Sequence, residues 1–499
     1  MKKIICLILT FLLVFSFVAC GDGSKKELTN VKVKEGYTRY DITDKIEYLT
    51  DGFGCQIDTD VYMPFNKLTE DEEKMLEQRI ADMNLQYTRI KFFPEYFEEG
   101  NDNDDPNTFD YNSANVNFES EQMKALYKIL DICEKYGIRV DLSWYGASGG
   151  SWLGCDASLG WATAPRKTDT FDGYAEYAEN IAVCLDYLVN TKKYTCVWGF
   201  SVISEMFIND EAAIVWDDYR ECTKAIVQKN KDIGIYGKVN FIGTSNMGYK
   251  ASWFEEEQTP MVDIYDIFGI GNYYWDNNSL FEGVDYYFED MMAVARKLGK
   301  GMVMSEFCQG LHFTGAVTKS DIDDYSAGMY LIRFIIAATQ NGISAFNHYI
   351  LGDTFFTNAY IHEMGLWMYR NNNWKAHPEY YFYGMLCKYT DIGSEIYPVE
   401  IDLVESDDIM MIAYKLPDGS WTYLIVNNGK TSHKAAIVNG RKDRPDSLSA
   451  YKLTESAIPE DRACVLPEAY DSINTTKGVA YINLPANSFV VLSNKTFEN

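Results

Sequence analysis

Two glutamates close apolar runs in this 499-residue chain: Glu205 ends "VWGFSVISE" (197–205) and Glu306 ends "GMVMSE" (301–306). A carboxylate at the end of a buried strand loses hydration, which is costly unless it is paired, hydrogen-bonded or protonated. Either glutamate alone reads as a polar strand cap. Together they mean more. Two carboxylates facing one small pocket cannot both ionise freely, so one pKa rises and the other stays low. That division yields a protonated acid for a leaving oxygen and an ionised nucleophile for an anomeric carbon, the requirements of glycoside hydrolysis. Glu205 is tolerated at its strand end because it can stay protonated.

Positioning such a pair needs a scaffold, and residues 52–390 supply its pattern. Short apolar runs at 52–58, 87–93, 138–145, 195–203, 238–244, 266–274, 301–306 and 343–350 lack polar alternation, as expected of parallel strands covered on both faces. Amphipathic segments separate most of them: "TEDEEKMLEQRIADM", "SEQMKALYKILDICEKY" and "SDIDDYSAGMYLIRFIIAATQ" predict helices, with Ser120 and Ser320 as N-caps of the last two. Only the fifth slot, near "ASWFEEEQ", is weak. Eight such units predict a (β/α)8 TIM barrel over residues 49–390, where catalytic groups come from the C-terminal strand ends. Strands four and seven, which carry the glutamates, lie roughly across that barrel. Beyond residue 390 come β-rich runs separated by turn signals such as "PDGS" and "NNGK", predicting a C-terminal antiparallel β-sandwich over 391–499 that holds none of the chemistry. The stretch "RYDITDKIEYL" before the barrel is placed to add a strand to it. The Asp-rich "GNDNDDPNTFD" reads as a solvated loop rather than a calcium site. Long segments after strands three and eight are expected to shape a cleft.

These residues resemble the retaining glycoside hydrolases of clan A, with features of families 5, 30 and 39. The resemblance spans the barrel and the C-terminal sandwich. It implies that Glu205 is the acid/base and Glu306 the nucleophile, their carboxyl groups about 5–5.5 Å apart. It also implies that Arg89 in "YTRIKFF" steers the nucleophile, that Tyr273 in "DIFGIGNYY" contacts it, and that Tyr349 in "FNHYILGD" stands where the clan places a tryptophan under the sugar. Two positions depart from the pattern. Ser204 occupies the place of the asparagine that bonds the sugar 2-hydroxyl, and Gly271 replaces a strand-six histidine. Ser204 supports a competing reading, a catalytically weak or inactive glycan-binding lipoprotein on the same scaffold.

Aromatic residues make up 15% of the chain. Flat rings stack on the C–H faces of sugars or else fill the core, and Trp144 and Trp275 head the candidates for stacking, ahead of Trp152, Trp161, Tyr274 and Trp367. His348, near the predicted mouth, joins the substrate-binding candidates. His312 and His348 without a carboxylate motif make a poor metal site, and no cofactor is expected. The net charge of −28 argues against nucleic acid and anionic membrane surfaces as partners. A carbohydrate substrate and a monomeric chain are expected. Nine cysteines follow Cys20 at wide spacing without a paired motif, so they read as buried small hydrophobes. Residues 1–20 read as an export signal: Lys2 and Lys3, an apolar stretch, then "FVAC", which resembles a bacterial lipobox with Cys20 as the lipidated residue. An ordinary signal peptide is the alternative. With lipidation, residues 21–48 form a tether and an N-terminal strand, and the membrane is touched only through the anchor.

Overall fold

The structure, a computed structural model, describes residues 31–103, 105–144, 174–202, 216–243, 246–247, 251–274, 281–309, 311–314, 317–320, 322–356, 360–401 and 408–497. Cys20 and the rest of the export signal lie outside them.

Eight parallel strands close a barrel. In chain order they are Gly52–Cys55, Tyr87–Phe92, Arg139–Trp144, Val197–Val202, Asn240–Ile242, Ile267–Tyr274, Gly301–Gln309 and Ile343–His348. Each pairs with its sequence neighbours, the eighth pairs with the first, and Ile242 opposite Ile267 links five to six. The helices between them follow local rules. Glu70–Met83 starts at a capping box in which Thr69 and Glu72 bond each other's backbone N–H, and ends at Asn84 in the left-handed region. Glu121–Tyr136 starts at Ser120, whose hydroxyl accepts from Met123 N–H, and ends at left-handed Gly137. The weak fifth slot holds the helix Ala251–Gln258.

The Ser320 cap does not form. Val317–Ser320 is a strand, paired with Leu311–Thr314 and Tyr360–Glu363, and the helix Tyr325–Asn341 begins only after Asp324 caps it. With Thr354–Phe356 these strands build a four-stranded sheet from the segments following strands seven and eight. Short strands interrupted by small and polar residues give a weak sequence signal, which is why this sheet was not anticipated.

The C-terminal region is a nine-stranded, mostly antiparallel sheet folded over its own core, with Tyr40, Trp421, Ile425, Ile437 and Leu492 among its buried side chains. Its one strand from the other chain end, Thr38–Ile42, runs antiparallel to Glu395–Ile401 and parallel to His433–Val438. The sheet docks on the last two barrel helices: Phe382 stacks on Phe489, and the Tyr325 hydroxyl donates to the carbonyls of Leu453 and Asn487. Cys55, Cys133, Cys184, Cys196, Cys222, Cys308 and Cys387 are free and buried, Cys464 is half-buried, and Cys155 lies outside the described residues.

Strand alternation sorts the barrel. Ile90, Phe92, Leu142 and Phe346 join the core shared with the helices, while Ile242, Val303 and Ala345 form a small apolar floor inside the barrel. Above that floor space is short at Gly269, where an added Cβ would lie 2.6 Å from Ser305 Oγ and 2.7 Å from the Gly243 carbonyl oxygen. Gly269→Ala is therefore expected to destabilise the fold by about 1–3 kcal/mol, the range for overpacking. Denaturant unfolding checks this; a variant as stable as the parent chain would show that strand six is free to move.

Candidate active site

Strand seven presents Glu306 through an irregularity. Opposite strand six, Ile270 faces Met304 but the next residue, Gly271, faces Glu306; opposite strand eight, Phe346 faces Met304 and His348 faces Phe307. Strand seven thus carries one extra residue on both sides. Such a bulge re-aims a side chain. Ser305 and Glu306 both turn inward, Ser305 toward Gly269 and Glu306 toward strands two and six. Without the extra residue, one of the two would face the helices.

Glu306 is 3% exposed, and both its oxygens are bonded. Oε2 accepts from Arg89 Nη1 and Oε1 accepts from the Tyr273 hydroxyl. Arg89 is fully buried and spreads its guanidinium over strands one, three and seven: Nη1 also reaches Gln56 Oε1 at 3.3 Å, and Nη2 donates to Ser143 Oγ at 3.1 Å. Its backbone N–H donates to Asn347 Oδ1 at 3.1 Å, while Asn347 Nδ2 donates to the Ser305 carbonyl at 3.0 Å. Asn347 therefore bridges the strands that carry the two charges. Beneath lies Asp141, fully buried, which accepts from Ser201 Oγ at 3.2 and 3.3 Å and from the Tyr87 hydroxyl at 3.5 Å. Burial pushes its pKa up to about 6, against the pull of the Arg89 charge and of these hydrogen bonds.

Above Glu306 a second polar layer is organised by Lys91, two residues along from Arg89 on the same face. Lys91 Nζ donates to the Tyr349 hydroxyl at 3.2 Å, and its backbone N–H donates to Asp58 Oδ1. Tyr349 Oη lies 2.8 Å from His362 Nδ1. Burial, followed by the Lys91 charge, drives the His362 pKa down to about 3. The imidazole is then neutral, and its tautomer sets the direction of the hydrogen bond to Tyr349, whose oxygen accepts from Lys91. Tyr349 packs edge-on to Tyr273, with 6.4 Å between ring centres, and is 4% exposed. Beside this layer lies a narrow pocket. Tyr62, Trp367, Tyr369 and Trp374 line it, and Gln56 and Asp58 form its wall toward Arg89.

The structure thus brings together Glu306, Arg89, Tyr273 and Tyr349. Glu205, Ser204 and Trp275 lie outside the described residues, as do Trp152 and Trp161, so the separation expected between the glutamates has no counterpart here. Two candidates are corrected. Trp144 is fully buried on the outer face of strand three, its ring 4.6 Å from that of Phe92 and its indole N–H donating to Asn180 Oδ1. His348 is fully buried on the outer face of strand eight, 3.4 Å from Glu379 and packed on Phe307 and Tyr383. Both have the wrong strand parity to reach the interior. Lys91, Gln56, Asp58, Ser143 and Asn347 were missed. Spacing of two from Arg89 was the available signal for Lys91.

No family model matches the chain, and no curated protein matches it in sequence. Solved structures do match. A glycoside hydrolase family 30 subfamily 8 xylanase from Clostridium acetobutylicum aligns at 13% identity and TM-score 0.60, covering 92% of this chain and 99% of that one. An endo-β-1,6-glucanase aligns at 13% and 0.63, covering 93% and 95%. A family 39 enzyme from Xanthomonas axonopodis pv. citri aligns at 13% and 0.59, covering 94% and 98%. The likeness is one of fold: the chain has the barrel-and-sandwich architecture of clan A glycoside hydrolases.

Asp141 generates a pH prediction. Its folded-state pKa is raised, so the folded chain holds this proton more tightly than the unfolded chain does, and its contribution to stability is lost as pH rises from about 4 through about 6. At 1.36 kcal/mol per unit the contribution is about 3 kcal/mol. The stability of Asp141→Asn relative to the parent chain should therefore improve by about that amount between pH 4 and pH 7. Parallel pH curves for the two proteins would mean that Asp141 ionises without penalty.

Proposed function

We propose that this protein is a retaining β-glycoside hydrolase acting on a poly- or oligosaccharide, with Glu306 as nucleophile and Glu205 as acid/base. The observation that carries the reading is the setting of Glu306: a nearly buried carboxylate at the bulge in strand seven, bonded by Arg89 and Tyr273. Each donor takes one lone-pair site on one oxygen, and an ionised carboxylate offers about four in all. Acceptor capacity therefore remains for attack, while the two bonds fix the plane of the group. The Arg89 guanidinium sets a fixed positive charge against the oxygen that would attack.

The reaction runs in two displacements. A Glu306 oxygen forms a bond to the anomeric carbon as the glycosidic C–O bond breaks, and the departing oxygen takes its proton from Glu205. Glu205, now a carboxylate, removes a proton from water as the water oxygen attacks the same carbon and frees Glu306. Two inversions retain the configuration. Export and lipidation at Cys20 would place the enzyme on the outer face of a bacterial membrane.

Ser204 favours the second reading, a glycan-binding protein of little activity, and chemical rescue separates the two. Turnover of an activated aryl β-glycoside should fall on the order of a thousandfold or more in Glu306→Gly. Azide should restore aglycone release and give an α-glycosyl azide, because a single displacement inverts. In Glu205→Ala, azide should instead intercept the glycosyl-enzyme and give the β-azide. Proton coupling at the anomeric carbon distinguishes the products. Swapped products would exchange the two roles, and undiminished hydrolysis in either variant would remove that residue from the mechanism. Separately, Cys20→Ala should abolish incorporation of a labelled fatty acid; persistent labelling would refute Cys20 as the anchor.

A further inference from the structure

Away from Glu306, the loop after strand two meets the helix Tyr174–Asp186 at a group of carboxylates. One oxygen each from Asp102, Glu176 and Glu179 lies within 4.8 Å of the other two. Glu176 and Glu179 stand three apart, on one face of the helix. Asp102 belongs to the Asp-rich loop that the sequence reads as solvated, yet it is only 8% exposed. Glu98, 2% exposed, joins the group: its Oε1 accepts from Asp102 N–H and its Oε2 from Asn180 Nδ2.

Four carboxylates meet one described cation. Lys229 Nζ donates to Glu179 Oε1 at 2.8 Å and also to the Pro106 carbonyl, so a single ammonium serves both the cluster and the loop. Asp102 Oδ2 accepts from Asn103 Nδ2 and from the Asp110 N–H. The other oxygen of each, Asp102 Oδ1 and Glu179 Oε2, is buried and receives no hydrogen bond among the described residues. Both side chains are more than nine-tenths buried, with Glu179 2% exposed. An ionised carboxylate oxygen left bare in a desolvated site is expensive, and burial of this kind is found where a metal supplies the missing charge.

We propose that Asp102, Glu176 and Glu179 bind a divalent cation of the calcium type. The chemistry selects the class. The donors are all hard carboxylate oxygens, with neither cysteine nor histidine among them, which suits calcium or magnesium rather than zinc. Oxygens bound to one calcium at about 2.4 Å span at most about 4.8 Å, and calcium accepts irregular sets completed by carbonyls and water, whereas magnesium demands a tighter octahedron. The bound ion clamps the strand-two loop to the helix behind strand three. Asn180 on that helix already bonds both Glu98 and Trp144, so the clamp braces one side of the barrel rim. The site stands whether or not the protein hydrolyses glycosides.

The test uses the full chain, stripped with chelator and dialysed, then titrated with calcium chloride by calorimetry and followed by thermal unfolding. Calcium should bind at one site and raise Tm; Glu176→Gln, at the most exposed of the three ligands, should weaken binding at least tenfold while leaving the calcium-free Tm unchanged. Asp102→Asn should do the same with a larger loss. Absence of binding at millimolar calcium to the folded chain overturns the proposal. Calcium affinity unchanged in both variants, or a preference for magnesium, also overturns it.

Discussion

A buried guanidinium facing a buried carboxylate governs the interior of this barrel. Taking both charges out of water costs several kcal/mol per ion, and removing either partner leaves the other stranded, at a cost of about 3–5 kcal/mol. Arg89 and Glu306 are tolerable only because the walls supply the remaining contacts: Ser143, Gln56 and Tyr273 by side chain, and Asn347 by tying the two strands together. The bulge in strand seven follows from the same need. It turns Glu306 inward where the guanidinium waits, and the small Gly269 leaves room for the neighbouring Ser305. The stabilising network and the proposed chemistry therefore rest on the same atoms.

The strands and most helices were legible because burial on both sides leaves an apolar run and capping leaves Ser, Thr or Asn at fixed places. That same burial erased the information about facing. Strand three reads "RVDLSW" with little to say that Asp141 and Ser143 look inward while Trp144 looks outward, and strand eight hides His348 in the same way. A polar barrel interior makes matters worse, since the usual rule of apolar inside and polar outside fails there. Glu306 was found because it closes an apolar run, although the strand continues to Gln309, and the extra residue that turns it inward leaves no mark in "GMVMSEF". Arg89 and Tyr273 came through family resemblance and Lys91 through neither route, although parity alone would have placed it on the Arg89 face.

The rim is built from three kinds of glue. Strands from the segments after strands seven and eight pair into a small sheet, and His362 on that sheet holds the Tyr349 hydroxyl. On the opposite flank the strand-two loop is drawn inward by buried carboxylates rather than by apolar packing. Between them lies the aromatic pocket, whose wall shares Gln56 with the guanidinium. Strand edges, ionisable groups and rings respond differently to salt, temperature and pH, so the walls of the mouth need not loosen together.

The segment Thr38–Ile42 fills an interior place in the C-terminal sheet, flanked by residues near 400 and near 435. During synthesis that place cannot be filled until almost the whole polypeptide has left the ribosome. A chain emerging from its N-terminus must hold this strand unpaired while more than three hundred residues follow. Contacts so distant in sequence slow folding and expose an unpaired strand edge meanwhile. The barrel, whose strands pair with near neighbours, can assemble during that wait, and the sheet closes last, when Thr38–Ile42 meets Glu395–Ile401 and His433–Val438.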